Sequence, residues 1–124
     1  VFGCLRPNGP GKTTTIKLFL GLIKPSAGGG SLLGAPLGSE QVKDRIGFLP
    51  DNPAFYPHLT ADRFLAYCAR LLHMDSSTYS KRIDVLLEQM GLLDVRKRPL
   101  SEFSRGMLQR IGIAQALLNR CAMK

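Results

Sequence analysis

Apolar residues are spaced in two ways along this chain, first as short runs and then at helical intervals. Residues 1–5 form an apolar run that reads as a buried strand. Residues 13–23 place Ile16, Leu20 and Ile23 on one face, with Phe19 beside them, which predicts a helix weakened by Gly21 and stopped by Pro25. A turn at 25–30, a short strand at 31–33 and a second turn at 34–38 follow. Ser39 is placed to cap a short polar helix over 40–45, and 46–49 reads as a buried strand. Pro50, Pro53 and Pro57 make the next stretch a loop. Beyond it the period becomes helical. Thr60 caps 61–72, with Phe64, Leu65, Ala69 and Leu72 inward; 79–90 carries Ile83, Leu86, Leu87 and Met90 and is ended by Gly91. A linker over 92–102 leads to a last helix from Arg105 or Gly106 to Leu118, capped by Ser104, with Leu108, Ile111, Ala114, Gln115 and Leu118 on one side. Strand, loop and helix, then strands, then helices define an α/β fold with a helical insert.

The first loop carries chemistry. Arg6-Pro7-Asn8-Gly9-Pro10-Gly11-Lys12-Thr13-Thr14 lies between the first strand and the first helix, where a phosphate-binding loop stands. Gly9 and Gly11 let successive N–H groups converge on phosphate oxygens, and the helix adds the positive end of its dipole. Lys12 is placed to reach the β- and γ-phosphates, and the Thr13 hydroxyl to hold Mg2+. Two positions depart from the usual pattern. Arg6 stands where a glycine is expected, and Pro10 removes one N–H, so a weakened loop is expected and Arg6→Gly or Pro10→Ala should strengthen binding.

Composition narrows the partners. The chain has 124 residues, 44% of them hydrophobic, enough for one domain with a core. Its longest apolar run, 18–23, is far short of the roughly 20 residues that span a bilayer. Cys4, Cys68 and Cys121 have no metal-binding spacing, and Cys4 and Cys68 read as buried thiols of a cytosolic protein. His58 and His73 carry no metal or acid/base signal. The net charge of +8 raises nucleic acid as a partner, but only Arg96-Lys97-Arg98 forms a basic run, no aromatic residues interleave with it, and a solvated surface is the better reading of it. The first 39 residues contain no acid, and that positive field suits a polyphosphate.

The stretch Phe103-Ser104-Arg105-Gly106-Met107-Leu108-Gln109-Arg110 separates the phosphate-loop families. It resembles the L-S-G-G-Q signature, followed by Q-R, of ATP-binding-cassette (ABC) transporter ATPases, with Ser104, Gly106, Gln109 and Arg110 matching. Phe103, Arg105 and Met107 are variants of the kind found in the exporter-like branch. Residues 46–51 look like the strand leading into that family's Q-loop, with Asp51 where Gln or Glu is expected. The resemblance implies a Mg2+ contact for Asp51; a loop carboxylate at a turn is the other reading. Residues 52–59, with Phe55, Tyr56 and His58, look like the loop that faces the membrane partner, although such aromatics also pack ordinarily.

The resemblance runs from residue 1 to about 118. It implies a partial P-loop NTPase (RecA-like) core over 1–58, a helical subdomain over 59–106 ending in the signature, and a helix returning toward the core over 107–124. It implies an ATP-binding subunit with ATP and Mg2+ as cofactors, held by Asn8, Gly9, Gly11, Lys12, Thr13 and Thr14, with Ser104, Arg105 and Gly106 closing on a second nucleotide across a dimer. It implies a transmembrane permease as partner, no specific nucleic acid, and a cytoplasmic site at the membrane. The family's Walker B Asp-Glu pair, switch His and adenine-stacking aromatic are not in the sequence, so a piece of a longer protein is expected, poorly soluble and without ATP turnover by itself. No catalytic residue is assigned. A non-catalytic module docking a membrane partner and a basic nucleic-acid-binding domain are the alternatives.

Overall fold

The computed structural model describes residues 11–43, 45–50 and 53–118, in two compact units, Val1–Ile46 and Gly47–Lys124. The strand expected over 1–5 lies outside the described residues.

In the first unit, helix α1 (Lys12–Phe19) ends four residues before the expected stop. Gly21 terminates it. At φ +67 its N–H bonds Leu18 O, while the Leu22 N–H bonds Lys17 O, which satisfies the last carbonyls of the helix. Strands β1 (Ser31–Leu32) and β2 (Ala35–Pro36) pair antiparallel, Ser31 with Pro36 and Leu32 with Ala35. Leu33, expected in the strand, is in the turn. Leu33 and Gly34 both have positive φ, +55 and +81, as a two-residue hairpin with the twist of its strands requires. Helix α2 (Glu40–Lys43) is two residues shorter than expected. The Ser39 carbonyl accepts from the Val42 and Lys43 N–H groups, whereas its hydroxyl is buried without a partner, so the expected side-chain cap is not made.

The second unit is a triangle of helices, α3 (Ala61–Leu71), α4 (Ser76–Gln89) and α5 (Arg105–Leu118), each packed on the other two. Ala61, Phe64, Leu65, Cys68 and Ala69 recur at helical spacing on α3 and are all buried, so this stripe faces the core. Leu86 and Leu87 of α4 meet it, with Ile111, Ala114 and Leu118 of α5. Leu72, expected inward, is exposed at the C-cap of α3. Its helix ends through the same bonds as α1, Met74 N–H to Ala69 O and His73 N–H to Arg70 O, but His73 takes the left-handed position at φ +55. Helix α4 starts three residues earlier than expected, because Asp75 takes an extended conformation and its carbonyl accepts the Thr78 and Tyr79 N–H groups. Thr60 precedes α3 as expected, but its hydroxyl donates to the Asp62 carboxylate and caps no N–H.

Two expectations fail here. The stretch 92–102 is not a linker. It holds two 3-10 turns, Leu93–Val95 and Leu100–Glu102, and buries Leu92 and Leu100, with Phe103 just after it, in the helical core. It also pairs with 57–60: Leu100 N–H donates to Leu59 O and Ser101 N–H to Pro57 O, both at 2.9 Å. Residues 46–49 are not a strand. A strand needs a ladder partner, and among the described residues this segment has none. Residues 47–49 lie across α5 instead. A Cβ on Gly112 would stand 2.5 Å from Leu49 Cδ1, and one on Gly47 would stand 2.1 Å from Ala116 O. The small residues Gly112 and Ala116, one turn apart, let the segment approach the helix backbone.

Candidate functional site

Two helix starts carry the expected site residues, each in its own unit. At the first, Gly11 precedes α1 with φ 142 and ψ −37, a backbone conformation that side chains disfavour. This turns the chain into the helix, and Thr15 answers Gly11 O with both its N–H and its hydroxyl, at 2.8 and 2.7 Å. Thr13 and Thr14 are exposed on the first turn, which contains no acidic residue. Their open face and the helix dipole fit a phosphate group with its cation. Lys12 opens the helix, and its side chain lies outside what is described, as do Asn8, Gly9 and Asp51.

At the second, Ser104 caps α5: its Oγ accepts the Met107 N–H at 3.3 Å, and its carbonyl accepts the Leu108 N–H at 2.9 Å. The expected cap is made. Ser104, Arg105 and Gly106 are together and exposed, and a Cβ on Gly106 would meet nothing within 4 Å. Because an N–H occupies the acceptor side of Ser104 Oγ, its own proton is free to donate outward. Arg105 adds a cation to the positive end of the dipole. Arg105, Leu108 and Gln109 form one wall of a cleft of about 510 Å3; Leu49, Pro50, Pro53 and Phe55 form the other. The cleft could not be read from the sequence, since its two walls are far apart along the chain.

The aromatics after the cleft pack on α3. Phe55 meets the buried Phe64 edge to face at 5.5 Å between centroids, and Tyr56 meets Tyr67 at 5.4 Å. Tyr56, Tyr67 and Leu71 remain exposed around them. His58 meets Tyr56 edge to face at 6.3 Å between centroids, and His73 takes the left-handed position that ends α3.

The basic run is consumed internally. Arg96 pairs with Asp84 at 2.6 Å, Lys97 with Asp62 at 2.7 Å, and Arg98 with Glu102 at 3.0 Å. Burial acts to raise the Asp62 pKa, but hydrogen bonds from Lys97, Thr60 and the Arg63 N–H, with the Lys97 charge, outweigh it and hold the carboxyl below its ordinary value. Cys68 is buried, which pushes its thiol up to about 11 and leaves it an inert core residue; Cys4 and Cys121 lie outside the described residues. Among the described residues no cluster of His, Cys, Asp and Glu could hold a metal, and no helix is long and apolar enough to cross a membrane.

Comparison with known proteins shows the family. The family model for ABC transporters matches residues 2–123, and the chain belongs to that family. It is 49% identical over 120 residues to an uncharacterised ABC transporter ATP-binding protein of Nostoc sp., covering 95% of this chain and 36% of that protein. It is 40% identical over 121 residues to the bacitracin transport ATP-binding protein BcrA of Bacillus licheniformis, covering 96% and 39%. Among solved structures it is similar to cbiO1 from Clostridium perfringens, part of the ABC transporter complex cbiONQ, with a TM-score of 0.77 and 27% identity, covering 93% of this chain and 48% of that one. The fold is therefore the expected α/β fold of the P-loop NTPases, in part, with its helical subdomain. The chain spans a little over a third of the curated relatives it matches.

Proposed function

We propose that this chain is the phosphate-loop and signature part of the ATP-binding subunit of an ABC exporter, which binds Mg-ATP and works on a membrane permease. The observation that carries the reading is the pair of exposed helix starts, one led by Gly11-Lys12-Thr13-Thr14 and the other by a capped Ser104 beside Gly106. Export is favoured by the Ser104-Arg105-Gly106-Met107 form of the signature and by the likeness to a bacitracin transport protein.

Each residue has a task in this reading. Gly11 admits the backbone turn that frees the first N–H groups of α1 for phosphate oxygens. Lys12 supplies a point charge to the β- and γ-phosphates, and Thr13 presents a hydroxyl to Mg2+. Asn8, Gly9 and Thr14 complete the cradle, and Asp51 offers a carboxylate to the cation. Bound Mg2+ neutralises charge on the phosphates. Ser104 donates its free proton to a phosphate oxygen, the Gly106 N–H adds a second donor, and Arg105 adds charge, toward a nucleotide held by a second copy. The division at 1–58, 59–106 and 107–124 is part of the same proposal. The permease is assigned to the cleft beside Phe55 and to the exposed Tyr56, Tyr67 and Leu71.

The ion pairs of Arg96, Lys97 and Arg98 weigh against the nucleic-acid reading, because those charges already have partners. Calorimetric titration separates the readings. Mg-ATP should bind in preference to Mg-AMP, and Thr13→Ala should weaken ATP binding with Mg2+ far more than without it. Equal affinity for ATP and AMP, or binding of bulk RNA in preference to ATP at 150 mM salt, would remove the assignment.

A further inference from the structure

Among the described residues, the last turns of α4 and α5 contain no basic residue to face the C-terminal carbonyls. Each receives one from the other. Arg110 of α5 donates through Nη1 to Met90 O at the C-cap of α4, at 3.0 Å. Arg82 of α4 donates through Nη2 to Leu117 O in the last turn of α5, at 3.1 Å. Pairing 82 with 117 and 90 with 110 makes the helices antiparallel, with one arginine clamp near each end. Arg110 also reaches back through Nε to Gly106 O at 3.4 Å, so one guanidinium touches both the end of α4 and the first turn of α5. Arg110 leans against the Gly91 turn, where a Cβ would stand 3.6 Å from Nη1.

We infer that Arg110 is a positioning residue for the start of α5: it fixes that helix along α4 and so fixes where Ser104, Arg105 and Gly106 stand. Its two carbonyl bonds are the only side-chain hydrogen bonds among the described residues that tie the first two turns of α5 to another helix or to its own first-turn carbonyls. Arg82 does the same work about two helical turns further along α5, and leaves the Ser104 end to Arg110. The importance of the position rests on the reading of Ser104 to Gly106 as a phosphate site, but the clamp itself does not need nucleotide.

The test is peptide-resolved hydrogen exchange on the full chain without nucleotide, comparing Arg110→Met, Arg110→Lys and Arg82→Met. Arg110→Met should speed exchange over 104–109 about tenfold, the equivalent of one lost charge-assisted hydrogen bond, with 61–71 unchanged. Arg110→Lys, whose ammonium can still reach Met90 O, should recover most of the protection. Arg82→Met should act on 113–118 and leave 104–109 as it was. No change at 104–109 in Arg110→Met, an equal rise across 61–71, no recovery with Lys, or the same effect from Arg82→Met would each overturn the assignment. Because nucleotide is absent, loss of the ATP reading in a separate titration would leave this result standing.

Discussion

Gly47→Ala should be among the most damaging small changes in the second unit. The added Cβ would stand 2.1 Å from Ala116 O and 2.9 Å from Ala116 C, against a normal closest approach of about 3.3 Å between carbon and oxygen. The obstacle is helix backbone, which cannot rotate aside as a side chain can. The segment must therefore lift by more than about an ångström, and Leu49 then leaves its seat on Gly112. Forced overpacking costs about 1–3 kcal/mol, and with a rigid neighbour the upper half of that range applies. Gly106→Ala on the same helix is the control, since nothing lies within 4 Å of its Cβ and Ala is favoured over Gly by up to about 1 kcal/mol in helices. The assay is urea unfolding followed by tyrosine fluorescence. All three tyrosines, Tyr56, Tyr67 and Tyr79, lie in the second unit and the chain has no tryptophan, so the signal reports that unit alone. Gly47→Ala should lower the midpoint at constant m, and Gly106→Ala should leave it unchanged or raise it. Equal midpoints for the two variants would show that the close approach of Gly47 to α5 is not formed.

Two further changes test local features. His73→Gly should raise stability by about 1 kcal/mol in the same assay, because it removes the left-handed penalty of a residue with a side chain at φ +55; a loss would mean that the imidazole makes contacts that outweigh it. Asp62→Asn should destabilise the chain at pH 7, and the gap to the parent should close in acid. The carboxyl's folded pKa lies below its unfolded value near 4, so its contribution is present above that value and vanishes as pH falls through the folded pKa; a gap that does not narrow as pH falls below 4 would contradict the pairing with Lys97.

The helices were legible where burial follows a period. Phe64, Leu65 and Ala69 on α3, and Ile83, Leu86 and Leu87 on α4, are residues that the spacing selects and that are buried. The start of α4 was not, because residues 76–80 have no apolar period and Asp75 acts through its carbonyl. Leu92 and Leu100 look like scattered residues of a linker; the pairing of 96–101 with 57–62 brings them inward. The run 46–49 suits a strand or a segment on a helix face, and Gly112 and Ala116, unremarkable in sequence, provide the helix face it lies across. At the site, the Ser104 cap could be read from residue type and place. The ion pairs of Arg96, Lys97 and Arg98 and the clamps of Arg82 and Arg110 could not, since each joins a cation to a group that the sequence does not mark as near.

Nucleotide binding through the α1 start is the centre of the account, and Lys12 is its most specific residue. A fluorescent ATP analogue should be titrated, with Mg2+ present, into the chain and into Lys12→Ala. Loss of the charge-assisted contact to the phosphates should weaken binding at least about tenfold, while tyrosine-detected unfolding of the second unit stays the same. Equal affinity of the two forms for the analogue would contradict the account at its centre.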